Sequence, residues 1–340
     1  MRTADLGRSA VRVTELTFGA AALGNLCAPV SDAAAAGAVA AAWDAGVRNF
    51  DTAPHYGLGL SERRLGAALH GRPRDAYTLS TKVGRLLVPG GPGGDDLAHG
   101  FAVPATSHRV WDFSADGVRR SLEASLERLG VDRIDLALLH DPDDHLDAAL
   151  DEAYPALERL RAEGVVGAIG AGMNQVAALT RFVTDTDVDA VLVAGRYTLL
   201  EHSALDHLLP EAQLHGTSVL IGGALNSGLL ADPRPGAAYN YAPAPHALLQ
   251  RALRLKAVCD RHQVPLHAAA FRFPLAHPAV AGVLTGARSA DEVRDTVAML
   301  SVPIPAALWN ELGTEGLLPG HAPVPVPAGE YPPPESAPGA

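Results

Sequence analysis

Short apolar runs alternate with amphipathic segments along most of this chain, and that alternation limits the folds it can adopt. Strands that alternate with helices favour a parallel sheet, because each helix carries the chain back to start the next strand. With eight such strands we predict an α/β fold, a (β/α)8 TIM barrel. The predicted strands are residues 14–19, 47–51, 77–82, 134–140, 166–172, 190–194, 218–222 and 280–285.

The length of the chain fits one barrel with additions. A barrel of this kind needs about 250 residues, and this chain has 340. We predict an N-terminal hairpin in residues 3–13, and extended loops after strands 3 and 7, at residues 83–113 and 224–245. Residues 1–318 are expected to form a single domain, whereas residues 319–340, rich in Pro, Gly and Ala, are expected to be poorly ordered.

An open doubly wound sheet is the alternative to a barrel. In that fold a Gly-x-Gly-x-x-Gly turn follows the first strand and binds a dinucleotide. The corresponding segment here is Phe18-Gly19-Ala20-Ala21-Ala22-Leu23-Gly24, which lacks that pattern. The barrel is therefore favoured.

Composition excludes several classes of partner. The net charge of -11 argues against nucleic acid, because phosphates require a basic surface. No apolar run reaches the roughly 18 residues that span a membrane, and the N-terminus shows no signal-peptide pattern. Cys27 and Cys259 do not form a Cys-x-x-Cys pair. We expect two free thiols, a cytoplasmic location and no bound metal.

Four polar residues fall at or just after three successive predicted strands. Asp51 ends the second strand and Tyr56 follows it, Lys82 ends the third, and His140 ends the fourth. Lys82 is one of only two lysines in the chain, the other being Lys256. Each residue alone has an ordinary structural explanation, such as a cap or a packed side chain. Because neighbouring strand ends meet at one rim of a barrel, the four together indicate a catalytic site.

The chemistry of these four side chains suits proton transfer. A tyrosine is a weak acid with a pKa of about 10, and a nearby ammonium group is expected to lower that value. Asp51 would keep Lys82 charged, and His140 could bind the same substrate oxygen as Tyr56. We therefore predict that Asp51, Tyr56, Lys82 and His140 act on a carbonyl or hydroxyl oxygen.

The residues around this group resemble the aldo-keto reductase family. The matching segments are Phe50-Asp51-Thr52-Ala53-Pro54-His55-Tyr56-Gly57, Ser80-Thr81-Lys82, Ile134-Asp135-Leu136-Ala137-Leu138-Leu139-His140 and Gly286-Ala287-Arg288-Ser289. The resemblance covers about residues 5 to 317. It implies a nicotinamide cofactor and a catalytic tetrad, Asp51, Tyr56, Lys82 and His140, with Tyr56 as the general acid or base.

The same resemblance implies residues that hold the cofactor. It places Asn174 on the nicotinamide carboxamide and Tyr197 against the nicotinamide ring. It assigns the phosphates and adenosine to two segments, within residues 222–229 and 285–296. The candidate residues in these segments are Gly222, Gly223, Leu225, Asn226, Gly228, Gly286, Arg288, Ser289 and Glu292.

Within that family the chain is most similar to the sugar dehydrogenase branch, on segments such as Gly24-Asn25-Leu26 and His140-Asp141-Pro142-Asp143. The branch implies oxidation of an aldose of the L-fucose, D-arabinose or L-galactose type at C1 to a lactone. Three alternatives remain open: an enzyme acting on another aldehyde or alcohol such as pyridoxal, a Schiff-base aldolase with Lys82 as nucleophile, and a non-catalytic, cofactor-sensing protein.

The choice between NAD and NADP depends on charge near the adenosine ribose. Arg288 and Ser289 suit a 2′-phosphate, but Asp291 and Glu292 follow and leave no clear surplus of positive charge. The acids also suit the start of a helix, with Ser289 as its cap. We expect NAD with NADP tolerated, a small-molecule substrate, and a monomer or homodimer.

Overall fold

The computed structural model describes residues 1–240 and 242–325, and its centre is a closed barrel of eight parallel strands. Each strand pairs with its neighbours in chain order, and the last pairs with the first. The predicted (β/α)8 barrel is therefore confirmed. The strands are β1 (Leu16–Gly19), β2 (Asn49–Asp51), β3 (Thr78–Val83), β4 (Ile134–His140), β5 (Val166–Met173), β6 (Ala190–Ala194), β7 (Ser218–Gly222) and β8 (Val280–Gly286).

Helices surround the barrel and bury their apolar faces against the strands. Ser114 caps α3 by accepting a hydrogen bond from the backbone N of Gly117, and Gly130 ends this helix in the left-handed conformation. The helices are α1 (Asp32–Asp44), α2 (Leu60–Leu69), α3 (Ala115–Leu129), α4 (Leu146–Ala148), α5 (Tyr154–Ala162), α6 (Val176–Asp185), α7 (Leu208–His215), α8 (His246–Arg261), α9 (Leu266–Arg272), α10 (Ala290–Leu300) and α11 (Ala306–Thr314).

The predicted N-terminal hairpin closes one end of the barrel. Its strands, Thr3–Asp5 and Arg12–Thr14, pair antiparallel. Leu6 and Val13 are buried in a cluster with side chains from inside the barrel, among them Leu136. The hairpin covers the amino ends of the strands, so the carboxyl ends form the open rim.

The long loop after β3 is itself folded. Strands Arg85–Pro89 and Ser107–Trp111 pair antiparallel, and a shorter pair, Asp95–Asp96 and Phe101–Pro104, lies between them. Phe101 packs with Leu58 in a small apolar cluster that also touches Tyr56. The loop is therefore attached to the segment that carries Tyr56. The loop after β7 contains a much shorter pair, Ala238–Tyr239 and Ala242–Pro243.

Some helices have irregular starts or turns. Helix α2 begins at Leu60, and its N-cap is Gly59. Ser61 lies inside the helix, where its hydroxyl donates to the carbonyl oxygen of Ala20. A π-helical turn, Ala149–Ala153, lies between α4 and α5.

The last described residues extend the packed core beyond the expected domain end. Ala322 is buried in the main core, whereas the expected tail begins at residue 319. The remainder of that tail, residues 326–340, lies outside the described residues. In the part of the chain that is described, no helix is both long and apolar enough to cross a membrane.

Candidate active site

The barrel places three of the four candidate residues on adjacent strand ends. Asp51 ends β2, Lys82 is the second-to-last residue of β3, and His140 ends β4. In the register of the sheet, Asp51 is opposite Ser80 and Lys82 is opposite Leu138. The strand order thus brings distant parts of the sequence to one point on the open rim.

Asp51 and Lys82 form a buried ion pair. The Lys82 Nζ donates to the Asp51 Oδ2 at 2.7 Å and to the Thr52 carbonyl oxygen at 3.0 Å, while the Ser80 hydroxyl donates to the other carboxylate oxygen at 2.8 Å. Both side chains are only 3% exposed. Burial alone would lower the pKa of Lys82, but Asp51 and Tyr56 together outweigh it and raise that pKa. Lys82 therefore stays an ammonium, which does not suit the neutral amine that a Schiff-base aldolase requires.

Tyr56 lies against both Lys82 and His140. The Lys82 Nζ is 4.8 Å from the centre of the Tyr56 ring, and the His140 ring centre is 5.8 Å from it. Burial raises the pKa of the Tyr56 phenol, and this effect outweighs the lowering by Lys82. Lys82 lowers this pKa as expected, but burial makes the net shift upward, so Tyr56 keeps its proton at neutral pH.

Gly57 explains part of the motif that carries Tyr56. It has a left-handed backbone with φ of +61°, and a Cβ there would come within 2.2 Å of the carbonyl oxygen of Gly24. Only glycine allows this close approach of two chain segments. The glycine thus fixes the turn that points Tyr56 toward Lys82.

The histidines of the site are neutral. Burial, helped by nearby Arg85 and Lys82, lowers the pKa of His140 well below its usual value. Burial and the same positive surroundings lower the pKa of His55 to about 2. The ring centres of His55 and His140 are 5.7 Å apart. Two uncharged imidazoles therefore stand beside Tyr56, each able to offer an N–H to a substrate oxygen.

Sequence reasoning missed His55 and its partner Arg109. The Arg109 Nε donates to the His55 Nδ1 at 2.6 Å, so the ring hydrogen of His55 lies on Nε2. Arg109 also forms two hydrogen bonds with Asp96, at 2.6 and 2.8 Å. His55 stands in the recognised motif, next to Tyr56, so its position could have been noticed. Arg109 is 54 positions away in the long loop and carried no such signal.

A cleft of about 550 Å³ runs from the tetrad to the start of α10. Asp51 and Tyr56 line one end, and Arg288 and Glu292 line the other, with Gly228 and Gly286 on its walls. Backbone N–H groups at a helix N-terminus and a guanidinium suit the phosphates of a dinucleotide. The volume and lining of this cleft fit a nicotinamide dinucleotide with its reactive ring near Tyr56.

The start of α10 has the expected cap and one further contact. Ser289 caps the helix, since its hydroxyl accepts from the backbone N of Glu292 at 3.2 Å. The Glu292 carboxylate accepts from the backbone N of Arg288, the residue before the cap, at 2.7 Å. The pair resembles a capping box shifted by one residue, and it stabilises the helix whether or not a ligand is bound.

Tyr197 is placed differently from the implied stacking position. Its side chain has no exposed surface and packs against Phe273 and His277, with ring centres 5.2 and 5.8 Å away. A ring enclosed in the core has no free face for a nicotinamide. The stacking role for Tyr197 is therefore corrected to a core-packing role.

The other expected cofactor residues lie in three places. Asn174 lines a separate pocket beside Arg85 and Asp141. The Asn226 amide accepts from Thr198 at 2.7 Å and donates to the carbonyl oxygen of Gly195, so its side chain joins the loops after β6 and β7. The remaining candidates, Gly222, Gly223 and Leu225, lie at the end of β7 and in the loop that follows.

Comparison with known proteins identifies the family. The model of the Aldo/keto reductase family matches residues 15–313. A D-threo-aldose 1-dehydrogenase from Pseudomonas sp. is 48% identical over 90% of this chain and 95% of its own length. A pyridoxal 4-dehydrogenase from Microbacterium luteolum is 40% identical, covering 92% of this chain and 97% of that protein. An L-galactose dehydrogenase from Arabidopsis thaliana is 31% identical over 87% of each chain.

A solved structure agrees with these matches. The holo form of an aldo-keto reductase from Bacillus halodurans superposes with a TM-score of 0.75 and 29% identity, covering 95% of this chain and 98% of that one. The resemblance noted in the sequence is thereby confirmed: the chain belongs to the aldo-keto reductase family, whose members are NAD(P)(H)-dependent oxidoreductases.

Proposed function

We propose that this enzyme oxidises an aldose at C1 to its lactone, with NAD favoured over NADP. The observation that carries the proposal is the convergence of Asp51, Tyr56, Lys82 and His140 at one end of a cleft of about 550 Å³ whose lining includes Arg288 and Glu292. The relatives that are sugar dehydrogenases support the choice of an aldose.

Each member of the tetrad has a distinct role in this proposal. Tyr56 exchanges a proton with the C1 oxygen, and it is the general base when the sugar is oxidised. Lys82, held charged by Asp51, stabilises the phenolate that Tyr56 must become. Neutral His140 donates a hydrogen bond to the same substrate oxygen and orients the sugar. The bound nicotinamide supplies the hydride acceptor.

Residues along the cleft would hold the cofactor. Arg288 and the N-terminal turn of α10 are suited to the phosphates, and Gly228 and Gly286 leave room for the backbone to approach them. Asn174, at the far side of the tetrad, is the candidate for the nicotinamide carboxamide. The acids Asp291 and Glu292 favour NAD, because a 2′-phosphate would bring further negative charge beside them.

A screen with matched cofactors tests the proposal. Purified enzyme is mixed with free aldoses and NAD or NADP, and the reduced nicotinamide is followed by absorbance while the lactone is identified by mass spectrometry. Oxidation of at least one aldose, abolished in Tyr56→Phe, is expected. Turnover of pyridoxal or pyridoxine but of none of the aldoses would overturn the sugar assignment. It would favour the alternative of an enzyme that acts on pyridoxal, which the relative from Microbacterium luteolum motivates.

A further inference from the structure

A second cavity, of about 250 Å³, lies beside the tetrad, and its lining shares no residue with that of the cofactor cleft. We refer to it as the polar pocket; it is lined by Arg85, Trp111, Asp141, Asp143, Asp144 and His145, together with Asn174. The His140 Nε2 is 3.6 Å from the Oδ2 of the pocket residue Asp141, so the pocket lies next to the proposed catalytic histidine. A substrate whose carbonyl carbon reaches Tyr56 can extend into it.

One ion pair dominates this pocket. The Arg85 Nη2 donates to the Asp141 Oδ2, and the guanidinium lies 4.1 Å from the centre of the Trp111 ring. The side chain of Arg85 is only 10% exposed, whereas that of Asp141 is 39% exposed. Asp141 also has a left-handed backbone, with φ of +43°, which is uncommon for a residue other than glycine. The structure therefore holds this carboxylate in place beside a fixed guanidinium.

Polar atoms of this pair and its surroundings lack partners. The Arg85 Nε and an Asp143 carboxylate oxygen are buried without a hydrogen bond to any of the described residues. A buried polar atom without a partner costs about 1–3 kcal/mol. A ligand that supplied hydrogen bonds here would recover that cost, and an apolar ligand would not.

The arrangement matches adjacent hydroxyl groups. A guanidinium can only donate and a carboxylate can only accept, whereas each hydroxyl can do both. Two neighbouring hydroxyls can thus bind an arginine and an aspartate that lie side by side. Three aspartates against one arginine also make the pocket unfavourable for an anion. These features together select a neutral, polyhydroxylated chain.

We propose that the polar pocket binds the hydroxyl groups of a neutral polyol chain, and that Arg85 and Asp141 are specificity-determining residues that contact them. Phosphorylated and carboxylated sugars are excluded by the aspartates. This inference rests on the proposed oxidation of an aldose and narrows its substrate class.

Three four-carbon aldehydes test the inference in the direction of reduction. Erythrose carries hydroxyls, butanal carries none, and erythrose 4-phosphate adds an anion. In the wild type, kcat/KM is expected to fall at least tenfold from erythrose to butanal, about 1.4 kcal/mol, and to fall similarly for the phosphate. In Asp141→Asn and in Arg85→Gln, kcat/KM for erythrose should fall at least tenfold more than for butanal, mainly through KM.

Two further variants complete the design. Asp143→Asn combined with Asp144→Asn should improve the use of erythrose 4-phosphate relative to erythrose at least threefold. Arg181→Met removes an exposed arginine that pairs with Asp185 on α6 and does not line the pocket, and it should change none of the ratios. Asp141→Asn keeps the size of the side chain, so it tests the pocket even where Arg85→Gln fails to fold.

The outcomes separate this inference from the proposed function. Equal losses for erythrose and butanal, or a wild type that prefers butanal or the phosphate, would overturn the polyol subsite whether or not an aldose is oxidised to a lactone. If the enzyme selects erythrose through Arg85 and Asp141 but forms no lactone from any aldose, the polyol subsite is retained. The direction and product proposed above are then overturned.

Discussion

At the scale of single residues, the candidate site combines one buried ion pair with neutral groups. Lys82 and Asp51 carry the charges, whereas Tyr56, His55 and His140 are uncharged at neutral pH because burial disfavours their ionised forms. A neutral phenol beside an ammonium is prepared to donate a proton. The resting site is thus set for reduction, and oxidation requires that Tyr56 first lose its proton.

The raised pKa of Tyr56 predicts the pH profile of oxidation. Because the ionised fraction of a group rises tenfold per pH unit below its pKa, kcat for aldose oxidation should rise steadily from pH 7 and should not level off below about pH 10. Stopped-flow measurement with chemistry rate-limiting checks this. Tyr56→Phe should lose at least about 10²-fold in kcat. A plateau between pH 7 and 8 would show that Lys82 outweighs burial.

Removing Lys82 should damage both stability and activity, and a second change separates the two. Lys82→Met leaves Asp51 buried without its partner, which costs about 3–5 kcal/mol when a buried pair is broken. Adding Asp51→Asn removes the unpaired charge and should recover much of the free energy of unfolding, while turnover stays lost because no ammonium faces Tyr56. Urea unfolding and kcat of both variants decide; recovery of activity in the double variant would contradict a role for Lys82.

At the scale of elements, the hairpin after β3 depends on one buried arginine. Arg109, 8% exposed, joins Asp96, 5% exposed, and also binds both the ring and the carbonyl oxygen of His55. Through His55 it connects the loop to the strand end that carries Tyr56. The long loop therefore forms one side of the site, and Arg109 holds it in place.

Replacing Arg109 should release the loop after β3 from His55. Arg109→Met leaves the buried Asp96 with His99 but without a guanidinium partner, so the free energy of unfolding should fall by about 3–5 kcal/mol, and His55 loses the bond that fixes its tautomer. KM for the sugar should rise more than kcat falls. Arg120→Met, which removes an arginine that is 52% exposed and paired with Asp112 and Asp116, should cost no more than about 1 kcal/mol. Equal costs in the two variants would rule out this attachment.

The N-terminal turn of α10 should decide cofactor choice. The Glu292 carboxylate accepts from the backbone N of Arg288, so a negative charge lies beside the residue that would bind a 2′-phosphate. We expect the wild type to have the higher kcat/KM with NAD. Arg288→Ala should lower kcat/KM for NADP more than for NAD, and Glu292→Gln should shift the ratio toward NADP. A wild type that favours NADP by more than tenfold would show that Arg288 outweighs the acids.

At the scale of the whole molecule, the features that could be predicted from the sequence are those that depend on apolar periodicity and local motifs. All eight barrel strands and the adjacent strand ends of Asp51, Lys82 and His140 followed from apolar runs. The pairing of Arg109 with Asp96 and His55 could not be predicted, because it depends on how a loop folds back in space. Tyr197 was misplaced for a related reason: a residue near a strand end can face the core or the rim, and sequence position alone does not distinguish them.

Buried neutral histidines should make the whole fold sensitive to acid. Burial lowers the pKa of His202 to about 4, and its Nε2 has no partner among the described residues. An unfolded histidine titrates near 6.5, so between pH 6.5 and about 4 the unfolded chain binds a proton that the folded chain does not. Stability at that site is therefore lost as pH falls, by up to about 1.4 kcal/mol per pH unit.

The contribution of His202 to the pH dependence of the free energy of unfolding can be measured with one substitution and its control. His202 packs against Phe273 with ring centres 5.6 Å apart, so His202→Phe keeps an aromatic ring in place. The difference in free energy of unfolding between His202→Phe and the wild type should move in favour of the variant as pH falls from 6.5 to 4, measured by urea unfolding at fixed ionic strength. His70→Phe, at an exposed histidine after α2, should show no such trend. A pH-independent difference for His202→Phe would mean that His202 binds its proton over the same pH range in the folded and unfolded protein, and that burial does not lower its pKa.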